Sequence, residues 1–145
     1  MGVERGDYID WFGDGSVLVV DLALACCALE SEFAVPLEAS RLAEPTAGSI
    51  VLAVVSGTLT DALSPLVRSK IEVLAPDRVV SFGACACAGG PYWDAWSVTK
   101  GVDQLVPVDH WIAGCPPPPG ALHEVVCAVR EEIGQRASLQ EESRD

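Results

Sequence analysis

Six cysteines occur in this chain of 145 residues, and four of them lie in segments rich in small residues or proline. Two are adjacent, Cys26 and Cys27; Cys85 lies within the glycine-bounded segment 83–90, and Cys115 precedes four prolines. In a reducing compartment, cysteines grouped in this way indicate metal binding or catalysis before they indicate disulfides. Thiolates select iron–sulfur clusters or zinc, so the pattern predicts a thiolate-held metal centre.

The residues around these cysteines suit a backbone that approaches an inorganic centre closely. The glycines of segment 83–90 permit such an approach, and its alanines leave room for sulfide. The proline run after Cys115 fixes the chain and removes four N–H donors that would need partners. Adjacent side chains point to opposite faces of a regular strand, so the backbone must bend if Cys26 and Cys27 serve one centre.

Apolar runs and helical patterns predict the elements that must position these cysteines. We expect strands at residues 16–20, 50–55, 78–82 and 104–108, and helices at residues 64–74 and 120–133. Pro107 puts the last strand at a sheet edge, and Gly134 is expected to end the second helix. Alternation of apolar strands with helices favours an α/β sandwich with a parallel sheet.

The cysteines follow these strands. The adjacent pair comes after the first strand, Cys85 after the third, and Cys115 beyond the last. In an open α/β sheet, ligands gather outside the carboxyl ends of the strands. We therefore expect three loops to converge at one edge of the sheet, each contributing cysteine.

Composition limits the domain organisation and the partners. We expect a polar N-terminal lead at residues 1–15, one α/β domain at residues 16–134 and an acidic flexible tail at residues 135–145. The formal charge of −12 argues against nucleic acid and anionic lipid as partners. No signal peptide is recognisable and no apolar stretch reaches about 18 residues, so we expect a cytoplasmic protein that meets a membrane only through partner subunits.

Five motifs in a fixed order give the chain a family resemblance. They are Cys-Cys-x-x-Glu at residues 26–30, Val-Ser-Gly-Thr at 55–58, Gly-x-Cys-x-x-x-Gly-Gly at 83–90, Gly-Val-Asp-x-x-Val-Pro-Val-Asp at 101–109 and Gly-Cys-Pro-Pro at 114–117. Together they resemble the cluster-bearing B subunit of respiratory complex I, and they share an outline with the small subunits of nickel–iron hydrogenases. The resemblance covers about residues 17–134, and its specificity lies in the combination of motifs.

The resemblance implies a flavodoxin-like three-layer α/β sandwich with a mostly parallel sheet. It implies one 4Fe–4S cluster that passes electrons towards quinone, in an oxidoreductase subunit with no complete active site of its own. The implied ligands are Cys26, Cys27, Cys85 and Cys115, and Glu30 would change its protonation with the charge of the cluster. A larger hydrogenase-like core subunit of complex I would cover the cluster, other iron–sulfur subunits would be partners, and the assembly would lie on the inner face of the cell membrane.

The chain departs from the family pattern in regions that shape the family's quinone pocket. Residues 31–33 are polar or aromatic where the family has hydrophobic residues or methionine, and the stretch between Glu30 and Ile50 is shorter. One alternative is the small subunit of a membrane-associated nickel–iron hydrogenase, although such proteins usually carry Cys-x-x-Cys in place of the adjacent pair. A zinc-stapled structural or adaptor domain is the alternative from another class.

Other residues near these motifs have competing interpretations. Cys87 is either a competing ligand or a spare thiol beside the centre, and Cys127 is expected to pack in the core. His110 and His123 are expected to have surface or packing roles. Either packing below the cluster loop or a partner interface would explain a group of aromatic residues. This group consists of Tyr92, Trp93, Trp96 and Trp111.

Overall fold

The computed structural model describes residues 8–24, 26–40, 45–46 and 48–144. In these ranges the strands are β1 (Ile9–Asp10), β2 (Val17–Ala23), β3 (Ile50–Ser56), β4 (Arg78–Phe82) and β5 (His110–Ile112). They form one five-stranded sheet in the order β1-β2-β3-β4-β5. β1 runs antiparallel to β2, and the other neighbours are parallel.

Four α-helices accompany the sheet in the described ranges. They are α1 (Cys27–Phe33), α2 (Ser64–Leu74), α3 (Ala84–Ala88) and α4 (Pro119–Glu142). Short 3₁₀ helices occur at Gly90–Tyr92 and Val102–Gln104. None of the described helices is both long and apolar enough to cross a membrane.

Side chains alternate along the strands between two buried cores. Val54 points to one face of the sheet, where it packs with Val126 of α4, and Val55 points to the other face, where it packs with Ile71 of α2. Parallel strands buried on both faces give the continuous apolar runs from which they are predicted. The three-layer α/β class with a mostly parallel sheet is confirmed.

The last strand lies further along the chain than predicted. Residues 102–104 form a 3₁₀ helix and the strand is His110–Ile112, so the prediction of a strand at residues 104–108 is wrong. Pro107 lacks the N–H that strand pairing uses. The chain instead meets β4 at Asp109, whose N–H donates to the carbonyl of Val79 at 2.9 Å and whose carboxylate accepts from the N–H of Val79 at 2.8 Å.

Helix α4 continues beyond Gly134, so the prediction that this glycine ends the helix is wrong. A glycine inside a helix costs only about 1 kcal/mol relative to alanine. An ion pair between Arg136 and Glu132, at 2.8 Å, also spans this turn. Residues 135–142 of the predicted flexible tail are therefore helical, while the domain boundaries themselves stay predictions.

The predicted polar lead at residues 1–15 contains part of the sheet and of the core. β1 pairs Ile9 with Val19, and the side chain of Trp11 is completely buried. Nε1 of Trp11 donates to Nδ1 of His123 in α4 at 3.0 Å, and the two rings stack with centroids 6.1 Å apart. The N-terminal segment is thus joined to the C-terminal helix across the core.

Replacing Trp11 by alanine is expected to lower the free energy of unfolding by about 3–5 kcal/mol, because it opens a cavity in the core. The matched control is Trp96→Ala. Trp96 is 94% exposed, so its loss should change stability by less than about 0.5 kcal/mol. Urea unfolding followed by far-ultraviolet circular dichroism measures both variants, and equal effects would contradict the burial of Trp11.

Candidate metal centre

Three strands deliver four cysteines to the carboxyl edge of the sheet. β2 leads into Cys26 and Cys27, β4 leads into Cys85, and β5 leads into Cys115. The three strands run in the same direction, so these segments meet at one edge. Cys26, Cys85 and Cys115 all lie near enough to act electrostatically on the Cys27 thiol, and the structure thus brings all four together.

The adjacent cysteines lie at the start of a helix. Cys26 has helical backbone angles (φ −53°, ψ −37°) and occupies the N-cap of α1, and Cys27 is the first residue of the helix. The change from β2 to α1 therefore supplies the bend that two adjacent ligands require. Cys26 is exposed, whereas Cys27 is only 1% exposed.

Backbone hydrogen bonds join the Cys85 segment to the Cys115 segment. The N–H of Gly83 donates to the carbonyl of Ile112, and the N–H of Ala84 donates to the carbonyl of Gly114, both at 2.8 Å. These bonds continue the pairing of β4 and β5 beyond the strand ends. The sheet therefore sets the spacing between two of the thiol-bearing segments.

Glycine is required where the backbone passes the thiols. A Cβ at Gly83, where φ is +100°, would clash with Sγ of Cys27. A Cβ at Gly90, where φ is +58°, would lie 2.8 Å from Sγ of Cys85. Both positions need glycine for space and for conformation. We call these two residues the glycine cradle.

Crowding changes the chemistry of Cys27. Burial is the largest of the causes that raise the pKa of its thiol to about 12, followed by Cys26 and then by Cys85 and Cys115. Thiolates at all four positions would repel one another without a compensating positive charge. A metal centre supplies that charge, and its binding releases the thiol protons.

The four thiols suit an iron–sulfur cluster better than a single ion. Zinc needs its ligands around one point, with sulfur at about 2.3 Å. Among the described residues, no group of three or more histidine, cysteine, aspartate or glutamate side chains is arranged to hold one metal ion. In a 4Fe–4S cluster each thiolate binds a different iron, so the sulfurs need not converge on a point. The donor set and the glycine cradle therefore fit such a cluster.

The two remaining cysteines contact other groups. The Cys87 thiol lies 3.7 Å from the carbonyls of Ser81 and Ile112, and burial raises its pKa. Sγ of Cys127 lies 3.5 Å from Nε2 of His123. Both contacts favour packing roles for these two cysteines over a ligand role.

Glu30 and the histidines occupy different surroundings. Glu30 is half-buried in α1, three residues after Cys27, and its redox-linked protonation stays a prediction. His110 begins β5, and its Nε2 is buried without a hydrogen-bond partner among the described residues. His123 packs against the rings of Trp11 and Phe12, in line with a packing role.

Four exposed aromatic side chains lie in the segments next to the thiol-bearing loops. Tyr92, Trp93 and Trp96 follow α3, and Trp111 lies in β5, shortly before Cys115. Each of the four is more than half exposed, so the interpretation that they pack in the core is wrong. Exposed aromatic residues of this kind are typical of an interface. We call the four residues the aromatic group.

A polar network under α1 is missed by the sequence analysis. Ser31 donates to Oδ2 of Asp21 at 2.5 Å, and Ser56 donates to Oδ1 at 2.8 Å. Burial raises the pKa of Asp21 above its ordinary value; the two hydroxyl donors lower it, and the carboxylate of Glu32 raises it. The one signal in the sequence is an acid within the apolar run of β2.

Comparisons with known proteins point to one family. The family profile described as NADH ubiquinone oxidoreductase, 20 Kd subunit, matches residues 19–129. A B-type NADH-quinone oxidoreductase subunit of Streptomyces griseus subsp. griseus, the second of that type, is 43% identical over 141 residues, covering 92% of this chain and 59% of that protein. The first such subunit of Salinispora tropica is 42% identical over 135 residues, covering 86% of this chain and 70% of that protein. The chain thus spans less than two thirds of the Streptomyces relative.

A solved structure shows a partial likeness. It is that of the membrane-bound sulfane sulfur reductase, an archaeal respiratory membrane complex. One of its chains is 30% identical, with a TM-score of 0.49. The alignment covers 59% of this chain and 54% of that one.

Replacing Gly83 by alanine should lower the free energy of unfolding by about 1–3 kcal/mol, because the added Cβ clashes with Cys27 and the positive φ is strained. The control is Gly134→Ala, which adds a methyl group in open space within α4 and should be neutral or stabilising by about 0.5–1 kcal/mol. Urea titrations of the two variants give the comparison. A neutral Gly83→Ala would show that the glycine cradle is not needed.

Proposed function

The chain belongs to the family of the 20 kDa subunit of NADH:ubiquinone oxidoreductase, and on this basis we propose that it is an electron-transfer subunit of a complex I-like oxidoreductase. The proposed cofactor is one 4Fe–4S cluster, with Cys26, Cys27, Cys85 and Cys115 as its ligands. The observation that carries the proposal is the convergence of these four thiols at one edge of the sheet. When bound, the cluster supplies one-electron transfer.

The chain's own residues would hold this cluster and define its surroundings. Cys27 and Cys85, at 1% and 2% exposure, lie on the protein side, whereas Cys26 and Cys115 lie on the solvent side. Burial and hydrogen bonds to sulfur are the means by which a protein tunes such a centre. The segments that carry the thiols are held by the sheet and by backbone hydrogen bonds, so they are placed before metal binds.

Electrons are proposed to pass towards quinone. Both relatives are named as subunits of NADH-quinone oxidoreductases, which supports this direction. Quinone is proposed as the acceptor of the complex and not as a ligand held by this chain alone, because residues 31–33 depart from the family pattern. Other iron–sulfur subunits would deliver the electrons, and this chain has no complete active site of its own in the proposal.

A larger partner subunit is proposed to cover the cluster. Two of the four ligands are exposed, which would leave one side of a cluster in contact with water. The aromatic group lies beside this side and offers an apolar contact surface. We assign this surface to a hydrogenase-like core subunit, with the complex on the inner face of the cell membrane.

The two alternatives have less support. Small subunits of nickel–iron hydrogenases usually carry Cys-x-x-Cys where this chain has adjacent cysteines, and both relatives are named as NADH-quinone oxidoreductase subunits. A zinc-stapled adaptor domain would need its sulfurs around one point, and the described residues do not provide that arrangement.

The ligand set is tested by replacing each of the four cysteines with alanine in the assembled complex. Each substitution should abolish the 4Fe–4S signal in electron paramagnetic resonance, because one iron loses its thiolate. Cys87→Ser and Cys127→Ala are the matched controls and should keep the signal, since these thiols contact other groups. A full signal in Cys115→Ala would contradict the assignment, as would loss of the signal in Cys87→Ser with retention in Cys85→Ser.

The partner is tested by comparing expression of the chain alone with coexpression of its genomic neighbours. We expect the chain alone to be poor in iron and the coexpressed complex to be replete, because the partner covers the exposed ligands. Iron analysis and size-exclusion chromatography measure the difference. An iron-replete, air-stable monomer would contradict the proposal and would indicate a freestanding carrier.

Substitutions in the aromatic group locate the partner surface. The double variant Trp93→Ser, Trp96→Ser should reduce copurification of the partner about tenfold or more, because both side chains are exposed beside the thiols. The control is Val73→Ser, an apolar residue of comparable exposure to Trp93 near the end of α2. Equal losses in both variants would place the interface elsewhere.

A further inference from the structure

Helix α1 carries the adjacent cysteines but has little to hold it in place by itself. It has seven residues, and no side chain forms a capping hydrogen bond at its amino end. Isolated helices of this length are not stable in water. Its two buried residues, Cys27 and Ser31, are four apart and lie on one face. The position of Cys27 therefore depends on the contacts of Ser31.

Ser31 contacts a carboxyl group in β2. Its hydroxyl lies 2.5 Å from Oδ2 of Asp21 and 2.9 Å from the carbonyl of Ala28, which is a second acceptor. The other carboxyl oxygen of Asp21 accepts from Ser56 at the end of β3, at 2.8 Å. One side chain therefore links two strands to the buried face of α1.

This link is selective because it lies among buried groups. Ser31 is 1% exposed and Ser56 is completely buried. A buried hydroxyl without a partner costs about 1–3 kcal/mol, and a fully paired polar network favours one arrangement over its alternatives. Turning α1 about its axis, or sliding it along the sheet, would separate Ser31 from Asp21.

We propose that Asp21 is a positioning residue for the adjacent cysteines: through Ser31 it fixes the rotation and depth of α1, and hence the places of Cys26 and Cys27. The inference rests on the proposed function only where it treats the thiols as ligands. Asp21 acts through the helix, since its hydrogen-bond partners among the described residues are the two serines.

Two substitutions of Asp21 separate the link from the bulk of the side chain. Asparagine can preserve the link: Oδ1 accepts from Ser56, and Nδ2 donates to Ser31, whose hydroxyl then donates to the carbonyl of Ala28. Leucine has a similar volume but breaks both hydrogen bonds. Positioning therefore predicts that Asp21→Asn behaves as the wild type and Asp21→Leu does not.

The experiment measures the alkylation rate of each cysteine in the full-length, metal-free chain, with iodoacetamide and peptide mass spectrometry. Cys27 and Cys85 are both nearly inaccessible, so Cys85 in α3 reports any loosening of the whole fold. Asp21→Leu should raise the rate at Cys27 about tenfold or more and leave Cys85 unchanged. Asp21→Asn should leave both rates at the wild-type level.

Two further variants serve as matched tests. Ser31→Ala breaks the link from the side of the helix and should also raise the rate at Cys27 alone. Thr99→Val removes another buried hydroxyl, which bonds to Asp61 at 2.7 Å and lies 2.6 Å from Ser64 of α2. It should lower the stability of the fold without changing the rate at Cys27.

A wild-type rate at Cys27 in both Asp21→Leu and Ser31→Ala would overturn the proposal. An equal rise at Cys85 would also overturn it, because the network would then support the whole fold and not α1 in particular. If Asp21→Leu does not fold, Ser31→Ala decides between these outcomes.

Iron analysis of the assembled complex is the second readout. Asp21→Asn should load as the wild type does, and Asp21→Leu should load less iron. If the wild-type complex itself binds no cluster while Cys27 still opens in Asp21→Leu, the proposed function fails and the positioning of the thiols stands.

Discussion

Four thiols at one edge of a sheet repel one another as soon as they ionise, and the structure around them has to satisfy this constraint. Burial and three neighbouring cysteines raise the pKa of Cys27 to about 12. Such a group stays together only when it is protonated or bound to a positive centre. The fold must therefore hold the sulfurs close to each other without help from any attraction between them.

The parallel sheet provides this support through the backbone. β2, β4 and β5 end at the same edge, and hydrogen bonds from Gly83 and Ala84 carry the pairing of β4 and β5 into the thiol-bearing segments. Glycine at positions 83 and 90 lets the backbone lie against the sulfurs. The geometry of the centre is thus a property of the main chain, which is stiffer than a set of long side chains.

The convergence of the cysteines could be predicted because it depends on strands that are apolar enough to be recognised and that end shortly before each cysteine. The helices α1 and α3 could not, since seven and five residues are too few for a clear apolar period. The burial of Trp11 and the bonds of Asp21 to Ser31 and Ser56 depend on contacts between distant parts of the chain. An acid in an apolar strand indicates that a partner exists but does not identify it.

The unequal exposure of the four sulfurs has a consequence for the order of assembly. Cys26 and Cys115 face outwards, and Cys27 and Cys85 lie beneath. Iron and sulfide arriving from solvent would meet the outer pair first, on the side where a second subunit would dock. Maturation of the centre therefore has to precede docking, and a complex closed too early would be trapped with four protonated thiols. Once closed, the complex would release its metal no faster than the subunits separate.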